Sequence, residues 1–159
     1  MRCVVQRVSR AEVRAQVGGE ERRAAIGPGL LVLAGFHAGD SEGDCDWAAA
    51  KLAGLRVFPD AEGKMNLALA EAGGAILLVS QFTLAGSIAR GRRPSFDGAM
   101  APAPARALFD RLAARLRAEG VPVETGFFRE HMAVELVNDG PVTFVLARGG
   151  EPGPGPVAP

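Results

Sequence analysis

Polar and apolar positions follow strand spacing from the first residues. Residues 2–8 (RCVVQRV) and 12–17 (EVRAQV) read as two strands, and Gly18-Gly19 supplies a hairpin turn into residues 20–26. After Gly27-Pro28-Gly29, the short run LLVLAGF at residues 30–36 is apolar throughout, the signature of a central strand buried on both faces. Asp40 or Ser41 opens a helix, since Ser41 is followed three residues later by Asp44, and Trp47, Leu52 and Leu55 recur near helical spacing. This helix is expected to end around residues 56–59. DAEGK at residues 60–64 is a turn signal, and AILLVSQFTL after Gly73-Gly74 is an apolar strand that becomes polar at its C-terminal end.

Residues 85–101 hold Gly, Ser, Pro and Arg with no sustained period and read as a functional loop. From Pro104 the positions Leu108, Phe109, Leu112 and Leu116 define one face of a helix that stops at Gly120. Two strands follow, VPVETG and MAVELV, and NDG at residues 138–140 turns the chain into PVTFVLA. The pattern predicts an α+β domain at residues 1–148, with a mostly antiparallel sheet or barrel and about two helices, followed by a disordered Gly/Pro-rich tail at residues 149–159.

Composition narrows the class. With 159 residues and 48% apolar content, one globular unit can bury a sizeable core. There is no run of 18 uncharged apolar residues, and MRCVVQRVSR carries charge where a signal peptide needs its apolar segment, so a cytoplasmic protein is expected. Cys3 and Cys45 are too few for a disulfide framework or a zinc site. The 18 basic and 18 acidic residues balance, so any RNA contact must be local.

Familiar catalytic patterns such as GxSxG, HExxH and the Walker loop are missing. His37 and His131 lie far apart, without Cys or carboxylate at metal spacing, and read as structural or solvated side chains. Neither a metal nor a cofactor is expected. Ser80, Gln81 and Thr83 place polar groups at the end of an apolar strand, where they are either paired internally or facing a ligand. Ser80 and Thr83 carry hydroxyls, but no residue pattern identifies a base for them. Asn138-Asp139-Gly140-Pro141 reads as a hairpin turn, with a cis Gly-Pro bond as the sharper alternative. Arg92 and Arg93, beside Pro94 and Phe96, form either a solvated cluster or a phosphate contact with stacking surface for a nucleotide.

Taken together, MRCVVQRVSRA (1–11), IGPGLLVL (26–33), GKMN (63–66), VSQFTL (79–84), GRRPSF (91–96), ETG (124–126) and LVNDGPVT (136–143) closely resemble the D-aminoacyl-tRNA deacylase family in its bacterial and eukaryotic form. The resemblance runs in order from Met1 to about Ala147. It implies a homodimeric hydrolase that cuts the ester of D-aminoacyl-tRNA, and also of Gly-tRNA, including glycine mischarged on tRNA(Ala). It further implies that Gly140-Pro141, cis, projects into the partner's site, where its two main-chain carbonyls exclude an L side chain. Ser80, Gln81, Phe82 and Thr83 would hold the terminal adenosine and the ester, with main-chain N–H groups near Phe82 and Thr83 stabilising the oxyanion and the ribose 2′-hydroxyl helping to activate water. Arg7 matches a position supporting the Gly-Pro segment, Met132 one near the pocket, and Val142 and Thr143 continue the motif.

Two departures from the family pattern fall near the inferred pocket: Ala85 stands where relatives usually carry Tyr, and Phe128-Arg129-Glu130-His131 replaces a smaller, Gly- and Ala-rich stretch. Two other readings compete with D-ester hydrolysis. One is a non-catalytic nucleic-acid-binding dimer, the other an editing domain acting on a different misacylated tRNA.

Overall fold

The computed structural model describes residues 1–89 and 92–148. The expected tail at 149–159 lies outside the described residues, as do Arg90 and Gly91 of the loop. The first two expected strands are one: β1 runs unbroken over Arg2–Val17. Its length lets it pair with two strands in succession along one edge. Arg2–Val8 face β3 (Gly29–Gly35) and Ala11–Val17 face β2 (Glu20–Ile26), both antiparallel. The β1–β2 hairpin closes as expected, with Gly18 and Gly19 both at positive φ (62° and 86°), the conformation that a tight hairpin of matching twist demands.

From β3 the chain crosses over through α1 (Glu42–Ala53) and a small β4–β5 hairpin (Phe58–Pro59 and Met65–Leu67) to β6 (Ala75–Ser80), which is parallel to β3. The capping box is present: Ser41 N donates to Asp44 Oδ2 at 2.8 Å. The Ser41 hydroxyl donates to the same oxygen at 2.7 Å, and this bond, more than the backbone one, holds the Asp44 carboxyl below its usual pKa. Helix α1 stops at Ala53, earlier than its apolar spacing suggests: Gly54 N makes the last four-residue helical bond, to Ala50 O, and Leu55 N turns back only three residues, to Leu52 O at 3.5 Å. Helix α2 spans Pro102–Ala118, two residues earlier than expected, with a proline in its first turn, and buries Leu108, Phe109, Leu112 and Leu116 as its spacing requires. The helices are joined by Arg111, whose Nε and Nη2 reach the two carboxylate oxygens of Asp46 at 3.0 and 2.7 Å.

Strand β7 (Val123–Thr125) is parallel to β6, so the sheet is mixed, with antiparallel pairs in the majority. The core has two layers. Leu30, Val32 and Ala34 of β3 join the cluster beneath the helices, while Leu31 joins Val8, Val13, Leu77 and Val79 on the opposite face. Burial on both faces explains why this strand has no alternation.

The expected hairpin at residues 138–140 does not form. Residues 132–147 are a single strand, β8 (Met132–Ala147), antiparallel to β1 along its other edge. The turn chemistry serves a bulge instead. Asn138 is opposite Val8 and Thr143 is opposite Gln6, so residues 139–142 stand against Arg7 alone and are pushed out of the ladder. The Gly140-Pro141 peptide within this bulge is cis.

Candidate active site

Strands β3 and β6 end side by side, with Ala34 opposite Ser80, and the site is built where they stop. The polar segment expected to finish β6 as strand bends away into a single 3-10 turn over Phe82–Ala85. Gln81 N donates to Ala34 O at 2.8 Å, and Leu84 N donates to Gln81 O at 3.2 Å. This close approach needs Gly35, where a Cβ would stand 2.7 Å from Gln81 O and 2.8 Å from the Leu84 Cβ. Phe82 N and Thr83 N precede the first bond of the turn and find no acceptor within it.

A cavity of about 650 Å³ opens at this point. Its lining includes Ala34, Val79 and Ser80 at the strand ends, Phe36, Met100 and Ala105, and residues 128–132 with Val134. Phe82 and Phe96, their rings 5.1 Å apart, complete the aromatic part of the lining, and Phe82 is 62% exposed. This lining is mainly apolar, with a few polar groups that converge at the strand ends, as expected of a small-molecule or nucleoside pocket.

The sequence-derived residues divide between two places. Ser80, Gln81, Phe82 and Met132 line the cavity, and the Met132 sulfur accepts the Phe127 N–H at 3.3 Å. Thr83 stands just outside, and its hydroxyl accepts Gln81 Nε2 at 2.5 Å. A carboxamide cannot remove a proton, so this contact does not activate Thr83 as a nucleophile. Arg92 and Arg93 are exposed in the neighbouring loop and are not among the lining residues, although Phe96 of the same loop is. In the described part of that loop, Ser87 and Ser95 exchange N–H···O bonds at 2.8 and 2.9 Å.

The second place is the β8 bulge. Arg7 Nε donates to Asp139 O at 3.1 Å and lies 2.8 Å from Asp139 Oδ2, while its Nη1 donates to Val57 O. Gly140 and Pro141 are exposed, Val142 is buried in the core, and Thr143 Oγ1 donates to Asn138 Oδ1 at 3.3 Å. None of residues 140–143 lines the cavity of its own chain.

Of the two departures, Ala85 is buried and off the lining, whereas Phe128, Arg129, Glu130 and His131 form part of the wall. Phe36 and Met100 were not legible as site residues, because each reads as ordinary core. His37 is held by its own N–H, which donates to Asp40 Oδ2 at 2.7 Å. Among the described residues no group of three or more His, Cys, Asp or Glu is arranged to hold a metal ion, and no helix is long and apolar enough to cross a membrane. The two cysteines are buried, and desolvation pushes the thiol of Cys3 up to about 12 and that of Cys45 up to about 11.

Known proteins resemble this chain in sequence and in fold. A family model described as D-Tyr-tRNA(Tyr) deacylase matches residues 4–147. The chain is 58% identical over 146 residues to a D-aminoacyl-tRNA deacylase of Symbiobacterium thermophilum, covering 92% of this chain and 95% of that protein. It is 52% identical over 159 residues to that of Myxococcus xanthus, covering 100% of this chain and 99% of the relative. Among solved structures, the c-Myc DNA Unwinding Element Binding Protein superposes with a TM-score of 0.84 at 36% identity, covering 94% of this chain and 100% of its own. A probable eukaryotic D-amino acid tRNA deacylase superposes at 0.77 with 21% identity, covering 91% of this chain and 97% of its own, and attests the fold alone. The matched strands, helices and pocket segments span nearly the whole described chain, and the protein belongs to the D-Tyr-tRNA(Tyr) deacylase family.

Proposed function

We propose that this protein is a hydrolase of D-aminoacyl-tRNA, cutting the ester between the D-amino acid and the terminal adenosine. The observation that carries this is the pairing of an apolar nucleoside-sized cavity with main-chain donors at Phe82 and Thr83 and no activated side-chain hydroxyl beside them. Water attacks the ester carbonyl, the two N–H groups receive the developing oxyanion, and collapse expels the ribose 3′-oxygen, which takes up a proton to leave tRNA and free D-amino acid. The ribose 2′-hydroxyl assists the water. Ser80 and Gln81 position the adenosine end, with Met132 beside the aminoacyl group.

The site is shared between two copies of the chain. Three features support this. The outer edge of β8 is long and unpaired among the described residues, and it exposes Val134, Val137, Phe144 and Val145. Val134 belongs both to that exposed set and to the cavity wall, so a copy laid along β8 approaches the cavity. Arg7 braces a protruding Gly140-Pro141 segment that its own cavity does not use. In the partner's site the Gly140 and Pro141 carbonyls exclude L side chains, while glycine, including glycine mischarged on tRNA(Ala), passes. Val142 and Thr143 act indirectly, by anchoring the bulge.

The likeness to the c-Myc DNA Unwinding Element Binding Protein favours a second reading, a non-catalytic nucleic-acid-binding dimer. Single-turnover hydrolysis of D-Tyr-, L-Tyr- and Gly-tRNA decides between them. Cleavage of the D-ester and of Gly-tRNA with the L-ester spared is expected. Binding without cleavage of any ester would support the second reading, and cleavage of the L-ester would point to a different editing substrate.

A further inference from the structure

Residues 127–130 form a tight turn closed by Glu130 N donating to Phe127 O at 3.2 Å. Arg129 occupies its third position with φ 66°, and it is the one non-glycine residue at positive φ among the described residues. Such a turn favours glycine there, because an L side chain crowds the backbone in the left-handed region. Nothing in the turn requires the Arg side chain. Phe128 anchors the turn by packing 5.9 Å from the Phe109 ring, and the Phe127 N–H is held by Met132.

The guanidinium is exposed on the cavity wall and makes no ion pair or hydrogen bond among the described residues. Its cationic neighbour Arg106 is different, since it lies 5.4 Å over the Phe128 ring and is engaged by Asp110 at 2.8 Å. The other charged group on the wall is Glu130, which cannot attract an anion. A strained backbone position at a site edge, occupied by a free cation, indicates that the cation has a task there. The chain has no net charge to hold a polyanion, so an anionic strand must be gripped at such points.

We infer that Arg129 binds the phosphodiester on the 5′ side of the terminal adenosine as the strand leaves the cavity, and so positions the acceptor end. This rests on the deacylase reading. Phe82 and Arg129 are both exposed members of the same cavity lining, so an adenosine stacked on the Phe82 ring has the Arg129 guanidinium available to its 5′-phosphate. The residue acts in binding, not in the ester chemistry.

The test compares two substrates that share the ester, D-Tyr-tRNA and D-tyrosyl-adenosine, which has no phosphate. Arg129→Gly should raise KM for D-Tyr-tRNA by about five- to tenfold at low salt and leave kcat within about twofold. It should leave both constants for D-tyrosyl-adenosine unchanged. The dependence of log KM on log salt should flatten by about 0.7, the value of one phosphate contact on a single strand. Arg129→Lys should restore most of the slope, and the glycine variant should not melt lower than the parent. An equal KM increase for both substrates, or no change for either, would overturn the inference while leaving the deacylase reading intact. Failure of the parent protein to cleave either ester would remove that reading and this inference with it.

Discussion

Strands β3 and β8 are both rich in Val and Leu, yet they spend those side chains differently. In β3 nearly every residue is buried on one face of the sheet or the other, and Leu30, Leu31 and Val32 are at most 1% exposed. In β8 Val142 is buried within its own chain, while Phe144 remains 43% and Val145 65% exposed. The first strand holds the subunit together. The second carries apolar surface that the subunit does not use, next to a braced bulge that its own cavity does not use, and this unspent surface is the physical basis for a shared site.

The largest expected effect separates the two strands by stability. Leu31→Ala should lower the unfolding free energy by about 2 to 5 kcal/mol at every protein concentration, through lost burial and an unfilled space against Leu77 and Val79. Urea unfolding at two concentrations checks this, and a cost below about 1 kcal/mol would mean the interior repacks freely.

The matching change in β8 should act on assembly. Val145→Asp places a charge on an already exposed position, so it should change subunit stability by no more than about 0.5 kcal/mol while converting the protein to monomer at micromolar concentration. Deacylation should fall at least about tenfold with it. Sedimentation and single-turnover rates on the same samples measure both, and a fully active monomer would break the contrast between the strands.

A narrower change sharpens the role of the bulge. Arg7→Met keeps the aliphatic length but removes the bonds to Asp139 and Val57, so the ratio of D- to L-ester cleavage should fall while circular dichroism stays constant. An unchanged ratio would leave the brace without a function.

How much of this could be read from the residues alone depended on whether the signal was local. Helix α2 was legible because Leu108, Phe109, Leu112 and Leu116 mark one face, and β3 because a short apolar run fits few other structures. Residues 2–8 and 12–17 read as two strands where β1 is one, because β1 changes partner from β3 to β2 along one edge while β8 pairs with both halves along the other. Asn138-Asp139-Gly140 suggested a hairpin because a protruding bulge and a hairpin use the same turn residues, and only the register against Arg7 tells them apart. In the site, the polar end of β6 was visible as a contradiction in an apolar strand, whereas Phe36 and Met100 look like any core residue until their neighbours are known. Arg129 was visible only as a departure from the family pattern. Its backbone conformation is what gives it meaning.

The smallest expected effect concerns pH and the partly exposed carboxylates of α1. The Arg111 hydrogen bond lowers the Asp46 pKa, and the Ser41 hydrogen bond lowers that of Asp44. Groups with lowered folded-state values stabilise the fold above the ordinary carboxylate pKa of about 4 and lose that contribution as pH falls through the folded value. Melting temperature should therefore hold from neutral pH to about 5 and decline below about 4. Asp46→Asn should reduce the decline, and an unaltered acid limb would exclude this pair as a contributor.

The central claim is that one copy of the chain completes the other's site, and subunit mixing tests it most directly. One variant carries Gln81→Ala and Phe82→Ala, which disables its cavity. The other lacks residues 139–141, which leaves Val142 alone opposite Arg7, between the Gln6–Thr143 and Val8–Asn138 pairs. Each homodimer should be inactive, and random reassociation should recover about a quarter of the parent activity, because half the dimers then hold one intact cavity facing one intact bulge. Recovery near that level, together with heterodimer formation shown by mass, is the predicted result. Heterodimers that form and remain inactive would contradict the shared site.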